Sequence, residues 1–349
     1  MTILQFVLWS ILKVVVVTVV LLMGIAYTVL LERKLVGRIQ NRWGPNRVGP
    51  FGLLQPLVDG AKSFLKEDII PSSVYKPLYL LAPVIALGCA LISIAVVPFG
   101  SPASEVNGFH IFQISDVNIG LLVVLGITSI GVYGIALAGW ASNNKYSLLG
   151  SLRSSAQLIS YELALGLSLV GVVMRASSLN LRVIVESQAN HGLFSWNLFG
   201  GMQFVAFFIY LMAAYAETNR SPFDLPEAES ELAAGYHTEY SSMKFAMFFM
   251  AEYGNMIMVG CVATLLFLGG WTSPFGDLIP LPHNVVLDAV LPIFWFVLKV
   301  FSFLFLYVWV RGTLPRFRYD QLMNFGWRYL MPLAILNIIA TSLWISWRG

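Results

Sequence analysis

The chain alternates between long apolar runs and short polar connections. A helix needs roughly 20 residues to cross a hydrocarbon core of about 30 Å. Runs close to or beyond that length fall at residues 3–31, 77–97, 117–141, 156–174, 198–216, 245–268, 289–310 and 329–346. Backbone N–H and C=O groups in lipid have no external partner, so each run is expected to be an α-helix. The pattern predicts an all-α integral membrane protein with eight transmembrane helices, a single membrane domain over residues 1–349. After the first span, residues 51–66 carry a second periodicity. Leu54, Val58, Ala61 and Leu65 share one helical face, and Gln55, Asp59, Lys62 and Lys66 share the other. An amphipathic helix lying on the membrane surface follows. It is either a plain anchor or a helix whose polar face forms the lip of a cavity.

Composition agrees with that class. Of the 349 residues 58% are hydrophobic and 11% charged, against about 25% charged in soluble domains. Charge distribution adds the orientation. Sixteen of the twenty-one Lys and Arg lie in the connections after the first, third, fifth and seventh runs, and three on the opposite side. Basic connections face the cytoplasm, so both termini are expected outside. The amphipathic helix then lies on the cytoplasmic side. Glu32-Arg33-Lys34 follows the first run and no basic region precedes it, which argues against a cleavable signal peptide. The basic residues form no stripe for nucleic acid.

Candidate chemistry is narrowed by what the sequence lacks. Its two cysteines, Cys89 and Cys261, lie in apolar runs, and no C-x-x-C, H-E-x-x-H or phosphate-binding glycine loop occurs. The chain is therefore expected to bind no cofactor itself. Attention falls instead on Ala216–Leu232, AETNRSPFDLPEAESEL, where Glu217, Asp224, Glu227, Glu229 and Glu231 crowd between two spans on the cytoplasmic side. Lys13, Glu162, Glu252 and Lys299 fall inside spans. A charge at a helix centre costs about 2.5–3.5 kcal/mol on insertion scales and usually faces a bundle interior or water. Glu162 and Glu252 each sit about two helical turns from the cytoplasmic end. Crowded, desolvated carboxyl groups exchange protons nearer neutral pH, which makes a proton or cation path one reading. A solvated acidic loop over purely structural ion pairs is the other. Arg220 is placed to tune its acidic neighbours.

Three long stretches carry a resemblance: AETNRSPFDLPEAESEL, ERKLVGRIQNRWGPNRVGPFGLLQPLVDGAK and RGTLPRFRYDQLM. Together they resemble the H-subunit (subunit 1) family of respiratory complex I, NADH:quinone oxidoreductase, over nearly the whole chain. The resemblance implies a membrane-arm subunit in a bacterial plasma (inner) membrane that carries no redox centre. NADH, FMN and iron–sulfur clusters would belong to partner subunits. Those partners are the peripheral-arm quinone-site subunits and the other membrane-arm subunits, with membrane lipids around them. Ubiquinone or menaquinone, the substrate, would reach its site through a tunnel bordered by Arg33, Arg42, Asp59, Arg220, Tyr253, Arg316 and Arg318. Glu162, Glu217, Glu227, Glu229 and Glu252 would link quinone reduction to proton translocation. The membrane subunit of energy-converting hydrogenases is the alternative; Asp59 on its amphipathic helix and the segment RFRYDQ favour the quinone version. A stand-alone transporter would call for internal repeats or paired broken helices, and neither is visible.

Overall fold

The computed structural model describes residues 3–101, 105–106, 109–110, 112–189, 192–224, 235–276 and 285–348. Eleven α-helices order these residues. They are α1 (Ile3–Ile39), α2 (Gln55–Leu65), α3 (Lys76–Ser93), α4 (Gly120–Ala141), α5 (Lys145–Ala176) and α6 (Leu181–Glu186), followed by α7 (Gln203–Glu217), α8 (Ser242–Phe267), α9 (Val285–Thr313), α10 (Tyr319–Phe325) and α11 (Met331–Arg348). A π-helical turn, Gly326–Leu330, joins the last two. Two-residue strands β1 (Glu105–Val106) and β2 (Phe109–His110) pair antiparallel. Among the described residues, seven helical segments are long and apolar enough to cross a membrane: Leu4–Ile39, Lys76–Val96, Gly120–Ala141, Lys145–Ala176, Ser242–Phe267, Ala289–Thr313 and Tyr319–Trp347.

The fifth predicted span differs from expectation. In place of a helix over 198–216, α7 has 15 residues, about 22 Å at 1.5 Å per residue. Gly200 and Gly201 interrupt the run, and Gly201 adopts φ 72°, a conformation open to glycine that ends a helix. The short helix fits because its neighbours enclose it: Ala206, Ile209, Tyr210, Ala213 and Ala214 are all buried. Other predicted spans are too short. α1 runs eight residues past Leu31 and α5 starts eleven residues before Ala156, because polar residues at helix ends need not stop a helix.

Packing is close where residues are small, as expected of helices without a hydrophobic drive to associate in lipid. Ala82, Ala86 and Ala90 of α3 are buried. A Cβ added at Gly134 of α4 would come within 2.9 Å of the Ala86 backbone nitrogen. α8 is the most enclosed of the long helices, with apolar residues all round as a surrounded helix requires.

The two ends of α8 are fastened differently. Beyond Phe267, Lys299 Nζ of α9 donates to the carbonyls of Leu268, Gly270 and Thr272 at 2.7, 2.9 and 2.8 Å. Its ammonium lies 4.1 Å from the centre of the Trp196 ring. An ammonium at a helix C-terminus meets the negative end of the helix dipole, so this intramembrane lysine has three acceptors and an aromatic face. Lys13, by contrast, sits partly exposed on α1, its Nζ 3.5 Å from the Gln113 carbonyl.

At the other end, the segment after α2 is laced to the start of α8. Ser242 Oγ donates to the carbonyls of Ser63 and Lys66 at 2.9 and 2.8 Å. Ile69 N–H donates to Ser241 Oγ at 3.0 Å, and Lys244 pairs with Asp68 at 2.5 Å. These bonds turn the Asp59–Ser63 side of α2 toward the bundle. Leu57, Val58, Phe64 and Leu65 stay exposed. The helix covers Gln55–Leu65 and not 51–66, because Gly49, Phe51 and Gly52 all have positive φ just before it.

His237, in the turn before α8, is buried against Tyr236, Phe245 and Phe249, with ring centres 4.9, 5.2 and 6.3 Å away. Burial pushes its imidazole down to about 4 from an ordinary value near 6.5. The unfolded segment therefore binds a proton that the folded one refuses between those values. Stability of this turn is complete above about pH 6.5 and is lost as pH falls toward 4, by up to about 3 kcal/mol. Hydrogen exchange at residues 236–240, corrected for intrinsic rates, is expected to lose protection over that window, and His237→Phe is expected to abolish the dependence.

Candidate functional site

The site begins where α7 ends. Thr218 Oγ1 donates to the Ala214 carbonyl at 3.1 Å, and Asn219 turns the chain with φ 51°, a left-handed conformation that asparagine tolerates better than most residues. The turn sends Arg220 inward, where it is 5% exposed.

Arg220 there meets carboxylates from two other helices. Its Nη2 lies 3.3 Å from Glu252 Oε2 of α8, and its Nη1 lies 3.9 Å from Glu32 Oε1 of α1. Its guanidinium stacks 4.2 Å from the centre of the Tyr253 ring. Tyr253 Oη donates to Glu32 Oε2 at 2.7 Å, Tyr236 Oη donates to Glu252 Oε1 at 3.1 Å, and Arg311 of α9 pairs with Glu32. Desolvating one charge costs several kcal/mol, so such a group persists only when paired and hydrogen-bonded. Two acids and two arginines give a neutral set. On the adjoining side, Arg316 pairs with Asp224 at 3.2 Å, and Phe317 stacks on Phe223 with centres 5.6 Å apart.

A small cavity of about 40 Å³ adjoins the cluster, lined by Glu162, Glu217, Glu252, Asn219, Asn255 and Thr128 among others. Ser129 Oγ donates to Glu162. Glu217 Oε2 and Asn219 Oδ1 are buried acceptors without a hydrogen-bond partner among the described residues. No ion pair reaches Glu162 or Glu217 among the described residues. Among the described residues, the arrangement sets a charge-balanced cluster against a pair of carboxyl groups that no ion pair reaches.

Asp59 and Arg33 pair at 2.7 Å at the surface and line a pocket between α1 and α2. Arg42, exposed, donates to Gln40 at 2.7 Å and shares an open pocket with Arg33. Arg318, exposed at the start of α10, donates its backbone N–H to Gln321 at 3.3 Å. Neither Arg42 nor Arg318 joins the buried cluster. Glu227 and Glu229 lie outside the described residues. An apolar cavity of about 640 Å³ opens between α1, α8 and α9, lined by Leu21, Gly24, Ile257, Cys261, Phe296 and Val300 among others, with Leu53 at one side. Among the described residues, no group of three His, Cys, Asp or Glu could hold a metal ion.

Sequence reasoning does not single out Glu32 or Arg311, which read as parts of the polar connections. A signal for Glu32 exists: Leu21, Ile25, Thr28 and Glu32 recur at helical spacing and are all buried. Replacing Glu32 with glutamine takes a carboxylate from two arginines, and losing one partner of a buried pair costs about 3–5 kcal/mol. Asp59→Asn breaks only a half-exposed pair, worth about 0–1 kcal/mol. The thermal inactivation midpoint of the assembled complex is expected to drop for Glu32→Gln and to stay near wild type for Asp59→Asn.

The sequence profile of the family described as NADH dehydrogenase matches residues 12–342. A relative in Koribacter versatilis, the H 2 subunit of its NADH-quinone oxidoreductase, is 62% identical, with 98% of each chain covered. The H 1 subunit of the Solibacter usitatus enzyme is 48% identical over 98% of each chain. The H subunit from Leptospira biflexa is 51% identical over 94% of this chain and 93% of its own. With the apolar helices and the three long motifs, these likenesses leave one assignment. The chain belongs to the H-subunit family of NADH-quinone oxidoreductase, respiratory complex I.

Proposed function

We propose that this subunit walls the quinone chamber of the complex and passes the charge demand of quinone reduction into the membrane arm through its buried acids. The observation that carries the reading is the cavity where Glu162, Glu217 and Glu252 meet, with Glu217 Oε2 and Asn219 Oδ1 as acceptors that have no hydrogen-bond partner among the described residues. Buried acceptors without donors call for a bound proton or water, and a void of a few tens of Å³ has room for water. A hydrated row of carboxyl groups can move protons; a dry, fully paired one cannot.

Quinone takes two electrons from partner subunits and two protons to become quinol. Protons withdrawn near the acidic stretch leave negative charge on its carboxylates, Glu227 and Glu229 among them. Arg220, shared by Glu32 and Glu252, is buried, where charge is poorly screened. A displacement of its guanidinium changes the field at Glu252, and Glu217 and Glu162 adjust their protons in turn. From there the change passes to the other membrane-arm subunits. The apolar cavity between α1, α8 and α9 suits the tail of a ubiquinone or menaquinone, and its size matches typical ligand sites of about 300–1,000 Å³. Arg33, Asp59 and Arg42 border the same side; Tyr253 is buried further in, and Arg316 and Arg318 stand exposed before α10. The relatives' names, NADH-quinone oxidoreductase, favour this over hydrogenase coupling. In orientation we place the basic connections in the cytoplasm and both termini on the periplasmic side of a bacterial inner membrane.

The test is Glu217→Gln in sealed membrane vesicles, with NADH oxidation by quinone, proton pumping, and NADH oxidation by an artificial acceptor that bypasses quinone. Quinone turnover and pumping are expected to fall by about tenfold or more, the loss of a specific proton-transfer group, while the bypass activity persists. Pumping and quinone turnover at wild-type rates would reject the relay.

A further inference from the structure

Gln157 stands on α5, one helical turn and more before Glu162, and is fully buried. Its side-chain amide reaches across to the far side of the loop that carries the site. Nε2 donates to the Ala216 carbonyl at 2.8 Å and to the Phe223 carbonyl at 2.8 Å. Those carbonyls flank Glu217–Pro222 on its two sides, so one amide group closes the turn that holds Glu217 and Arg220 and sets up Asp224.

The same face of α5 holds the loop twice more. Ser154, three residues before Gln157, accepts from Asn219 Nδ2 at 3.3 Å. Tyr161, four residues after, lies against Phe223 with ring centres 6.1 Å apart and donates from its hydroxyl to the Leu322 carbonyl at 2.8 Å. Residues 154, 157 and 161 share one side of a helix. They form a cradle for the loop, with Gln157 as its middle contact and the one that bridges both strands of the turn. On the opposite side the loop meets the segment before α10: Phe317 N–H donates to the Pro222 carbonyl at 3.1 Å.

We propose that Gln157 is a positioning residue for the charge cluster: by tying Ala216 to Phe223 it sets where Arg220 and Asp224 stand relative to Glu252 and Arg316. Its side-chain hydrogen bonds among the described residues go to backbone carbonyls and not to the acids. It acts through the loop, and no property of the sequence around it marks it out. The proposal rests on the relay reading above for its effect on turnover, and on geometry alone for its effect on the loop. Removing the amide takes a buried donor from both carbonyls and leaves that of Ala216 with the longer bond from Asn219 N–H at 3.4 Å; a buried acceptor that loses a donor carries a desolvation cost, so a side chain of equal length without donors should let the turn open.

The experiment uses the assembled complex in native membrane vesicles with three variants. Gln157→Met keeps the length and removes both donors, Gln157→Asn keeps the amide on a shorter arm, and Glu252→Gln serves as comparator. Quinone turnover is measured against a short-chain quinone for kcat and KM and is divided by the bypass activity, which reports assembled complex. For Gln157→Met the normalised kcat is expected to fall about tenfold, the size of one lost transition-state contact, with KM within about twofold of wild type. Gln157→Asn should recover part of that loss. A Gln157→Met complex with wild-type normalised kcat overturns the proposal. So does a parallel loss of both activities, which would make Gln157 an assembly residue, and so does an Asn variant no better than Met. If Glu252→Gln is silent while Gln157→Met is impaired, positioning stands and the relay reading falls.

Discussion

One guanidinium organises the interior. Arg220 stands between Glu252 and Glu32, with the Tyr253 ring beneath it. An arginine buried to this degree must be neutralised where it sits, and that requirement fixes four separate pieces of chain against one another. α1 brings Glu32, α8 brings Glu252 and Tyr253, α9 brings Arg311, and the turn after α7 brings Arg220 itself. Around this point the remaining fastenings make sense. Lys299 pins the far end of α8, the segment after α2 pins the near end, and the face of α5 holds the turn.

On the proposed reading, the same interaction also responds to charge. A cation shared by two carboxylates shifts toward whichever is more negative, so protonation at one site is felt at the other without any large movement. Glu162 and Glu217, one step away, face a small cavity and have no ion pair among the described residues. In the relay proposed above, that contrast gives a direction for a disturbance to travel. A cluster with every group paired would absorb it.

Much of this is legible in the sequence. Glu162 and Glu252 stand out because an acid within an apolar run has few inexpensive explanations, and the structure places both on one cavity. The acidic stretch draws attention by its density, and its first members do reach the site. Glu32 escapes notice because Arg33 and Lys34 beside it read as a span boundary, while α1 in fact continues to Ile39 and carries Glu32 on its buried stripe. Gln157 is invisible, since an uncharged polar residue in a helix gives no signal until its partners, sixty residues on, are known. The fifth run looks like the others in hydropathy; only its glycine pair hints that the helix would be short. Around α2 the alternation of apolar and polar faces is plain in the sequence, but which face meets the bundle depends on Ser241 and Ser242, far along the chain.

The most direct test of the central claim is whether these acids change protonation when quinone is reduced. Redox-difference infrared spectroscopy of the assembled complex reads protonated carboxyl groups as carbonyl bands, with Glu217→Gln and Glu252→Gln to assign them. A carboxyl band that changes on quinone reduction in the wild type and is lost in Glu217→Gln is the expected result. Difference spectra in the carboxyl region that are identical in the wild type and both variants would contradict it.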